Sequence, residues 1–209
     1  MKKEKESQIP FNDYQCFLFD LDGTIADSML IHNQAWIETL KSFHCDITAD
    51  ILNEYAGVPN LKIVEIFNQR FGWTLDKNSV VQKKDFLFEQ SLAMIKPIEP
   101  VLNIALDYKG HKPMAIVSGG TQALVAKTLS ALKIDSLFPV RVCADDVKNG
   151  KPDPESFLLA AQRLRAKSTD CLVFEDGEAG IRGALAAGMG VIKVHADFTY
   201  SYLKNKLIF

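Results

Sequence analysis

Short unbroken apolar runs and amphipathic stretches divide the chain into three textures. Tyr14 to Phe19 is an aromatic-rich run with Gln15 as its one polar residue, as suits a strand buried on both faces. From about Ser28 to Ile95 the pattern is helical, with no convincing strand. Met29, Trp36, Ile37, Leu40 and Phe43 fall near helical spacing, as do Leu61, Val64, Phe67 and Phe71, and Val81 to Met94 contains a further helix. Gly57-Val58-Pro59-Asn60 and Gly72-Trp73 break the chain between helices, and Lys96-Pro97 with Glu99-Pro100 reads as a linker. Asp27-Ser28 offers an N-cap for the first helix.

Beyond the linker, strands and helices alternate. Pro113 to Val117, Val140 to Ala144, Cys171 to Phe174 and Val191 to Val194 are short apolar runs. Between them lie a helix carrying Val125, Leu129 and Leu132, a helix opened by Asp153-Pro154, and a small-residue helix from Ala179 to Ala187 stopped by Gly188. Such alternation implies an α/β fold, a Rossmann-like parallel sheet with helices on both faces. The helical stretch interrupts it after the first strand and is expected to be an inserted all-α domain of residues 28–95. Residues 13–27 and 96–209 then form the core. Met1 to Asn12 reads as a loose tail, and Phe198 to Phe209 is expected to form a closing helix.

Composition narrows the function classes. The 209 residues are 47% hydrophobic and 24% charged, with a net charge of -2, which argues against a nucleic-acid or anionic-membrane surface. The start has no apolar signal core and no run approaches a membrane span. Cys16, Cys45, Cys143 and Cys171 are scattered without metal-ligand spacing, and three lie in apolar runs. A cytoplasmic protein is expected.

The chemistry gathers where the strands end. The first strand runs into Asp20-Leu21-Asp22-Gly23-Thr24, the next into Ser118-Gly119-Gly120, and the fourth into Glu175-Asp176-Gly177, while Lys151 follows the third. In a parallel sheet these ends share one edge, where such folds bind ligands. Two acids at i and i+2 of an extended chain share a side and repel unless a cation or proton intervenes. Asp20, Asp22, Glu175 and Asp176 make an oxygen-rich anionic site suited to Mg²⁺. A hydroxyl, glycine N–H groups and an ammonium suit the oxygens of a phosphoryl group. The spacing points to phosphoryl transfer, without saying which carboxylate attacks. Each residue has a plainer alternative. Asp-Gly pairs make ordinary turns, Ser118 could cap a helix, Lys151 could be a solvated loop lysine, and His32 and Trp36 could simply pack. Asp145 and Asp146 read as a solvated loop pair.

The motif set Asp20-Leu21-Asp22-Gly23-Thr24, Ser118, Lys151-Pro152 and Glu175-Asp176-Gly177 resembles the haloacid dehalogenase superfamily in order and spacing, from about Tyr14 to Val194. Within it the chain is similar to the beta-phosphoglucomutase-like branch, and most to sugar phosphatases of the bacterial fructose-1-phosphatase type. The resemblance implies a C1-type helical cap and a Mg²⁺-dependent phosphatase working through a phospho-aspartate. It implies Asp20 as nucleophile and metal ligand, Asp22 as general acid/base with its carbonyl on the metal, and Asp176 with Glu175 at the metal. It gives phosphate contacts to Ser118, Gly119 and Lys151, and places His32 and Lys84 toward the substrate. Mutase relatives carry a cap arginine after a Gly-Val pair; here Gly57-Val58-Pro59 is followed by Asn60, with Lys62 two positions on as a partial substitute. Hydrolysis is therefore expected over sugar-phosphate isomerisation. A small phosphorylated metabolite is the expected partner of a monomer, with neither nucleic acid nor membrane involved.

Overall fold

The computed structural model describes residues 9–203. Its first elements are β1 (Cys16–Phe19) and β2 (Ala26–Asp27). Helices α1 (Met29–Ser42), α2 (Ala49–Asn53), α3 (Asn60–Phe71) and α4 (Lys77–Glu89) follow without an intervening strand. Next come β3 (Lys96–Pro97), α5 (Glu99–Asp107), β4 (Met114–Val117), α6 (Gln122–Ala131) and β5 (Val140–Val142). The last are α7 (Glu155–Arg163), β6 (Cys171–Glu175), α8 (Glu178–Ala186), β7 (Gly190–Val194) and β8 (Tyr200–Leu203). The main sheet has six strands in the order β5-β4-β1-β6-β7-β8. β1 sits between β4 and β6 and is parallel to both, β5 and β7 continue the parallel set, and β8 closes one edge antiparallel. The fold is the mostly parallel α/β sheet that the strand–helix alternation implies.

All four residues of β1 are buried because both of its faces are covered. Phe17 and Phe19 enter one core with Ile116, Leu172 and Phe174, where Phe19 and Phe174 stack at 4.5 Å. Cys16 and Leu18 enter the other with Ala115, Val117, Val173 and Phe157. Fully burying a Phe or Leu contributes roughly 1.5–3 kcal/mol each, so β1 is anchored from two sides. α1–α4 pack around their own core of Trp36, Leu40, Leu52, Val64, Phe67 and Val80. Ala35 and Phe88 instead join the sheet core. β2 and β3, the two strands joining the helical segment to the rest, pair antiparallel, with Ala26 opposite Pro97 and Asp27 opposite Lys96. No helix among the described residues is long and apolar enough to cross a membrane.

Several local expectations change. The Pro-rich linker is β3 followed by α5, with Pro100 in its first turn, where a missing N–H costs nothing. Ser28 stands at the N-cap of α1, but its hydroxyl makes no cap and goes to Asp22. Asp153 is not the N-cap of α7: Pro154 holds that position without a side-chain cap, and the Asp153 carboxylate, one residue earlier, accepts from the Glu155 N–H. The expected closing helix is the strand β8 over Tyr200–Leu203, with Tyr202 bonded to Tyr14 through their hydroxyls at 2.7 Å. The remainder of that stretch, 204–209, lies outside the described residues, as do 1–8 of the N-terminal tail. Phe11 is not loose, because it packs on Phe17, Tyr108 and Phe174.

Candidate active site

The carboxyl edge of the sheet carries the charged cluster. Asp20 follows β1 directly, and its N–H continues the ladder to Phe174 O at 2.9 Å; the Ser118 N–H does the same to Val142 O at 3.0 Å. Glu175 is the last residue of β6, with Asp176 next. Lys151 arrives from the loop before α7 and donates to Asp20 Oδ1 at 2.7 Å and to Glu175 Oε2 at 2.6 Å. Asp20, Lys151 and Glu175 are all buried. Asp176 accepts from Thr24 Oγ1 at 3.2 Å. Two glycines let these acids crowd. A Cβ on Gly23, whose φ is +91°, would meet Asp176 Oδ2 at 2.2 Å, and one on Gly180 would meet the Glu175 carboxylate at 2.2 Å.

Asp20, Glu175 and Asp176 can each offer an oxygen within 4.8 Å of the others. Three carboxylates face one ammonium, and the electrostatics record the deficit. Burial pushes the Asp20 carboxyl upward against the pull of Lys151, and burial with the Asp20 charge raises Glu175. The same two causes push Asp176 up to about 7. Burial alone would lower Lys151, but Asp20 and Glu175 raise it, so it stays charged. A set of hard oxygens short of positive charge fits a divalent cation.

Asp20 and Asp22 line the same inner cavity, although the chain between them is bent and each has its own partners. β1 ends at Phe19, and the chain turns on Leu21 O, which accepts from the N–H groups of Thr24, Ile25 and Ala26. Asp22 Oδ1 instead accepts from Ser28 Oγ at 2.6 Å and lies 3.0 Å from His32 Nε2. Burial alone would raise the Asp22 carboxyl, but His32, the Ser28 hydrogen bond and Lys84 outweigh it and hold it at about 2. His32 stacks on Phe88 at 3.8 Å. Lys84 Nζ lies 2.9 Å from His32 Nδ1, and an ammonium only donates, so the ring proton sits on Nε2. The Nε2 approach to Asp22 is not in line, and Nε2 has no hydrogen-bond partner among the described residues. Burial and the Lys84 charge lower the imidazole pKa, against the pull of Asp22.

Asp20, Asp22, His32, Ser118 and Gly119 line one inner cavity of about 70 Å³, which Trp36 and Asn60 also border. Lys84 is not among its lining residues; it is buried behind His32 and also reaches Asp85 Oδ1 at 3.3 Å. Lys151 lines a wider cleft of about 1310 Å³ between α3–α4 and the core loops. Ser118 Oγ accepts from the Gly120 N–H at 3.0 Å, and Thr121, not Ser118, caps α6. Asp145 and Asp146 are more than a solvated pair. Asp145 accepts from the Gln122 N–H, and Asp146 from Cys143 N, Gln122 Nε2 and Arg163 Nη2, which braces the loop.

The segment Ala56–Pro59 presses onto three core loops, each at a glycine. A Cβ on Gly119 would lie 2.5 Å from Gly57 O, one on Gly177 2.9 Å from Ala56 O, and one on Gly150 2.3 Å from Pro59 Cγ. Sequence reasoning missed this seat, since which glycines face a neighbour depends on contacts far apart in the chain. It also missed Ser28 and Asn33 as site neighbours. Asn33 had a readable signal, a polar residue on the face of α1 that also carries Trp36 and Leu40.

Residues 17–194 match the family model described as haloacid dehalogenase-like hydrolase. The chain is 32% identical over 185 residues to the fructose-1-phosphate phosphatase YqaB of Escherichia coli K12, covering 88% of this chain and 98% of that protein. It is 28% identical over 181 residues to a phosphorylated carbohydrates phosphatase of Thermotoga maritima, covering 84% and 82%. Among solved structures, the beta-phosphoglucomutase of Clostridium difficile superposes with a TM-score of 0.76 at 25% identity, covering 86% of this chain and 84% of that one.

Proposed function

The chain belongs to the haloacid dehalogenase-like hydrolases, and from that membership we propose a Mg²⁺-dependent phosphatase of small phosphorylated sugars, fructose-1-phosphate-like, that works through a phospho-aspartate. The observation that carries the reading is the Lys151 bridge between Asp20 and Glu175, beside Asp176, at the sheet edge. Asp20, Glu175, Asp176 and the Asp22 main-chain carbonyl would hold Mg²⁺. Bound there, the ion would offset carboxylate charge and polarise the phosphoryl oxygens.

Asp20 attacks phosphorus, steadied by Lys151, while Ser118 and the Gly119 N–H grip the phosphoryl oxygens. Asp22 gives a proton to the leaving oxygen, then takes one from the water that cleaves the acyl phosphate and frees Asp20. The Asp22 described above is in its base form, the state needed for the second step. A phosphate dianion arriving nearby repels that charge and raises its proton affinity for the first. His32 Nε2 stands 3.0 Å from Asp22 Oδ1 and would reach the leaving-group oxygen from there, with Lys84 behind it at Nδ1. Residues 28–95 act as a cap that closes on a core of 13–27 and 96–209, and the monomer suffices.

Isomerisation is the weaker reading. Asn60 bears no charge, and Lys62, the possible substitute, is paired with Glu65 at 3.2 Å on the exposed side of α3. Asp20→Asn should reduce Mg²⁺-dependent hydrolysis of p-nitrophenyl phosphate to background while leaving the thermal midpoint near that of wild type. Turnover retained in that variant would remove Asp20 as nucleophile.

A further inference from the structure

The first residue of β1 and the first residue of β6 are both cysteines, and they stand side by side. Cys16 pairs with Cys171 in the parallel register of the two strands. Their sulfurs lie 2.9 Å apart, with one S–H directed at the other sulfur. Neighbouring strands run about 4.8 Å apart, inside the roughly 4.4–6.8 Å of Cα separation that a disulfide spans. The two thiols can therefore join without a change of register. Cys45 and Cys143, the other cysteines, have no thiol partner among the described residues.

The pair sits at the amino edge of the sheet, away from the acid cluster. Gln15, before Cys16, and Thr169, two residues before Cys171, are exposed, so one layer of loop separates the thiols from water. Cys171 Sγ reaches into that loop, to Lys167 O at 3.3 Å. The hydrogen bond from Cys171 lowers the Cys16 thiol pKa against burial, and the Lys112 charge assists. The same contact, with burial, raises Cys171. Cys16 is thus the better nucleophile, and Cys171 keeps the shared proton.

We propose that Cys16 and Cys171 are a peroxide-responsive dithiol, which oxidises to a disulfide and locks β1 to β6. The Cys16 sulfur attacks one oxygen of hydrogen peroxide. An S–O bond forms, the O–O bond breaks, and the departing hydroxide takes a proton to leave as water. The Cys171 sulfur then attacks the Cys16 sulfur, so that the S–S bond forms, the S–O bond breaks and a second water departs. In sum the thiols give up two electrons and two protons, and one peroxide becomes two waters. The bond closes a loop from residue 16 to residue 171, which restricts the unfolded chain. It also fixes the register of the two strands that lead to Asp20 and Glu175.

The test treats the reduced, folded protein with dilute hydrogen peroxide and reads intact mass, a non-reduced tryptic map and a thermal melt. The expected product has lost two hydrogens, links the Cys16 peptide to the Cys171 peptide, and reverts with dithiothreitol. Its thermal midpoint should rise by roughly 4–16 °C. Cys45 is the internal control, because it is 9% exposed against 1% for Cys16 and 0% for Cys171, so accessibility alone would oxidise it first. Oxygen added at Cys45 while Cys16 and Cys171 stay free would overturn the proposal, as would four unchanged thiols or a link to any other cysteine. Cys16→Ser and Cys171→Ser should each abolish the loss of two hydrogens, and its persistence in either would count equally against the pair. A clean Cys16–Cys171 link with no rise in the midpoint would overturn the lock.

Discussion

A single methyl group at Gly119 tests whether the seat of Ala56–Pro59 on the core is used in turnover. Gly119 does not occupy the left-handed region, so its backbone accepts alanine without strain, and the N–H proposed to grip phosphate is kept. The new Cβ would lie 2.5 Å from Gly57 O and 3.1 Å from Gly57 C, both backbone atoms of the opposing segment. Carbon and carbonyl oxygen settle at about 3.3 Å, so the segment must withdraw by about 0.8 Å. Overpacking of this kind costs ~1–3 kcal/mol. Charged entirely to the closed arrangement, that lowers kcat/KM for a sugar phosphate by roughly 5- to 150-fold. Gly120→Ala is the control on the same loop, because its Cβ would meet Ser118 Oγ at 3.4 Å and Val125 Cγ2 at 3.5 Å, ordinary contacts. The assay pairs phosphate release with a thermal melt. The expected result is a loss of kcat/KM in Gly119→Ala alone, with both melts near wild type, since opening relieves the clash. Wild-type kcat/KM in Gly119→Ala would refute closure on this seat, and a matching fall in melting temperature would make the contact structural.

Two further outcomes follow from the charges. Ser28→Ala removes the 2.6 Å hydrogen bond that helps hold Asp22 at about 2. A hydrogen bond to a charged group contributes ~1.5–3 kcal/mol, so the acid limb of the pH–rate profile should rise by about 1–2 pH units, and an unmoved limb would remove Ser28 from the tuning of Asp22. The second concerns metal and pH. Asp176 is raised from 3.8 to about 7, so its contribution to stability is complete below pH 4 and is lost as pH climbs through 7. Added Mg²⁺ takes the place of that proton, and its gain in melting temperature should be larger at pH 8 than at pH 5.5; equal gains would contradict the assignment of the acid cluster.

The sheet was legible in the sequence because β1, β4 and β6 are buried on both faces, so their runs carry no polar interruption to blur them. The acids were legible because strand ends of a parallel sheet converge, whatever the loops do between them. Where the reading failed, a local signal had two meanings. Pro97 and Pro100 mark a linker and equally a strand edge followed by a helix start, and only the pairing of β3 with β2 decides. Ser28 is an N-cap by composition, yet Asp22 is the stronger acceptor for its hydroxyl. Asp20 and Asp22 do line one cavity, but their separate partners were not readable from an i, i+2 spacing. The turn on Leu21 sends one acid to Lys151 and the other to Ser28 and His32. Each acid thereby acquires its own partner set, as the proposed division of labour between nucleophile and proton carrier would require.

The glycines join the two halves of the site. Gly23 and Gly180 leave space into which Asp176 and Glu175 move toward Asp20, a crowding that costs stability, as the raised carboxyl pKa values show. Gly119, Gly150 and Gly177 leave space into which the backbone of Ala56–Pro59 moves from the other side. The inner cavity left between them, about 70 Å³, is well under the ~300 Å³ lower end of small-ligand pockets. The wider cleft of about 1310 Å³ adjoins it through Tyr55, Val58, Asn60 and Gly119, so the proposed closure would have to move Ala56–Pro59 against its three glycines. Crowded acids are unfavourable for an empty fold, and the proposed cycle gives both them and the seat a use. On the proposed function, the acids would receive a cation and a phosphoryl group while the segment is raised, and the seat would exclude bulk water once it returns.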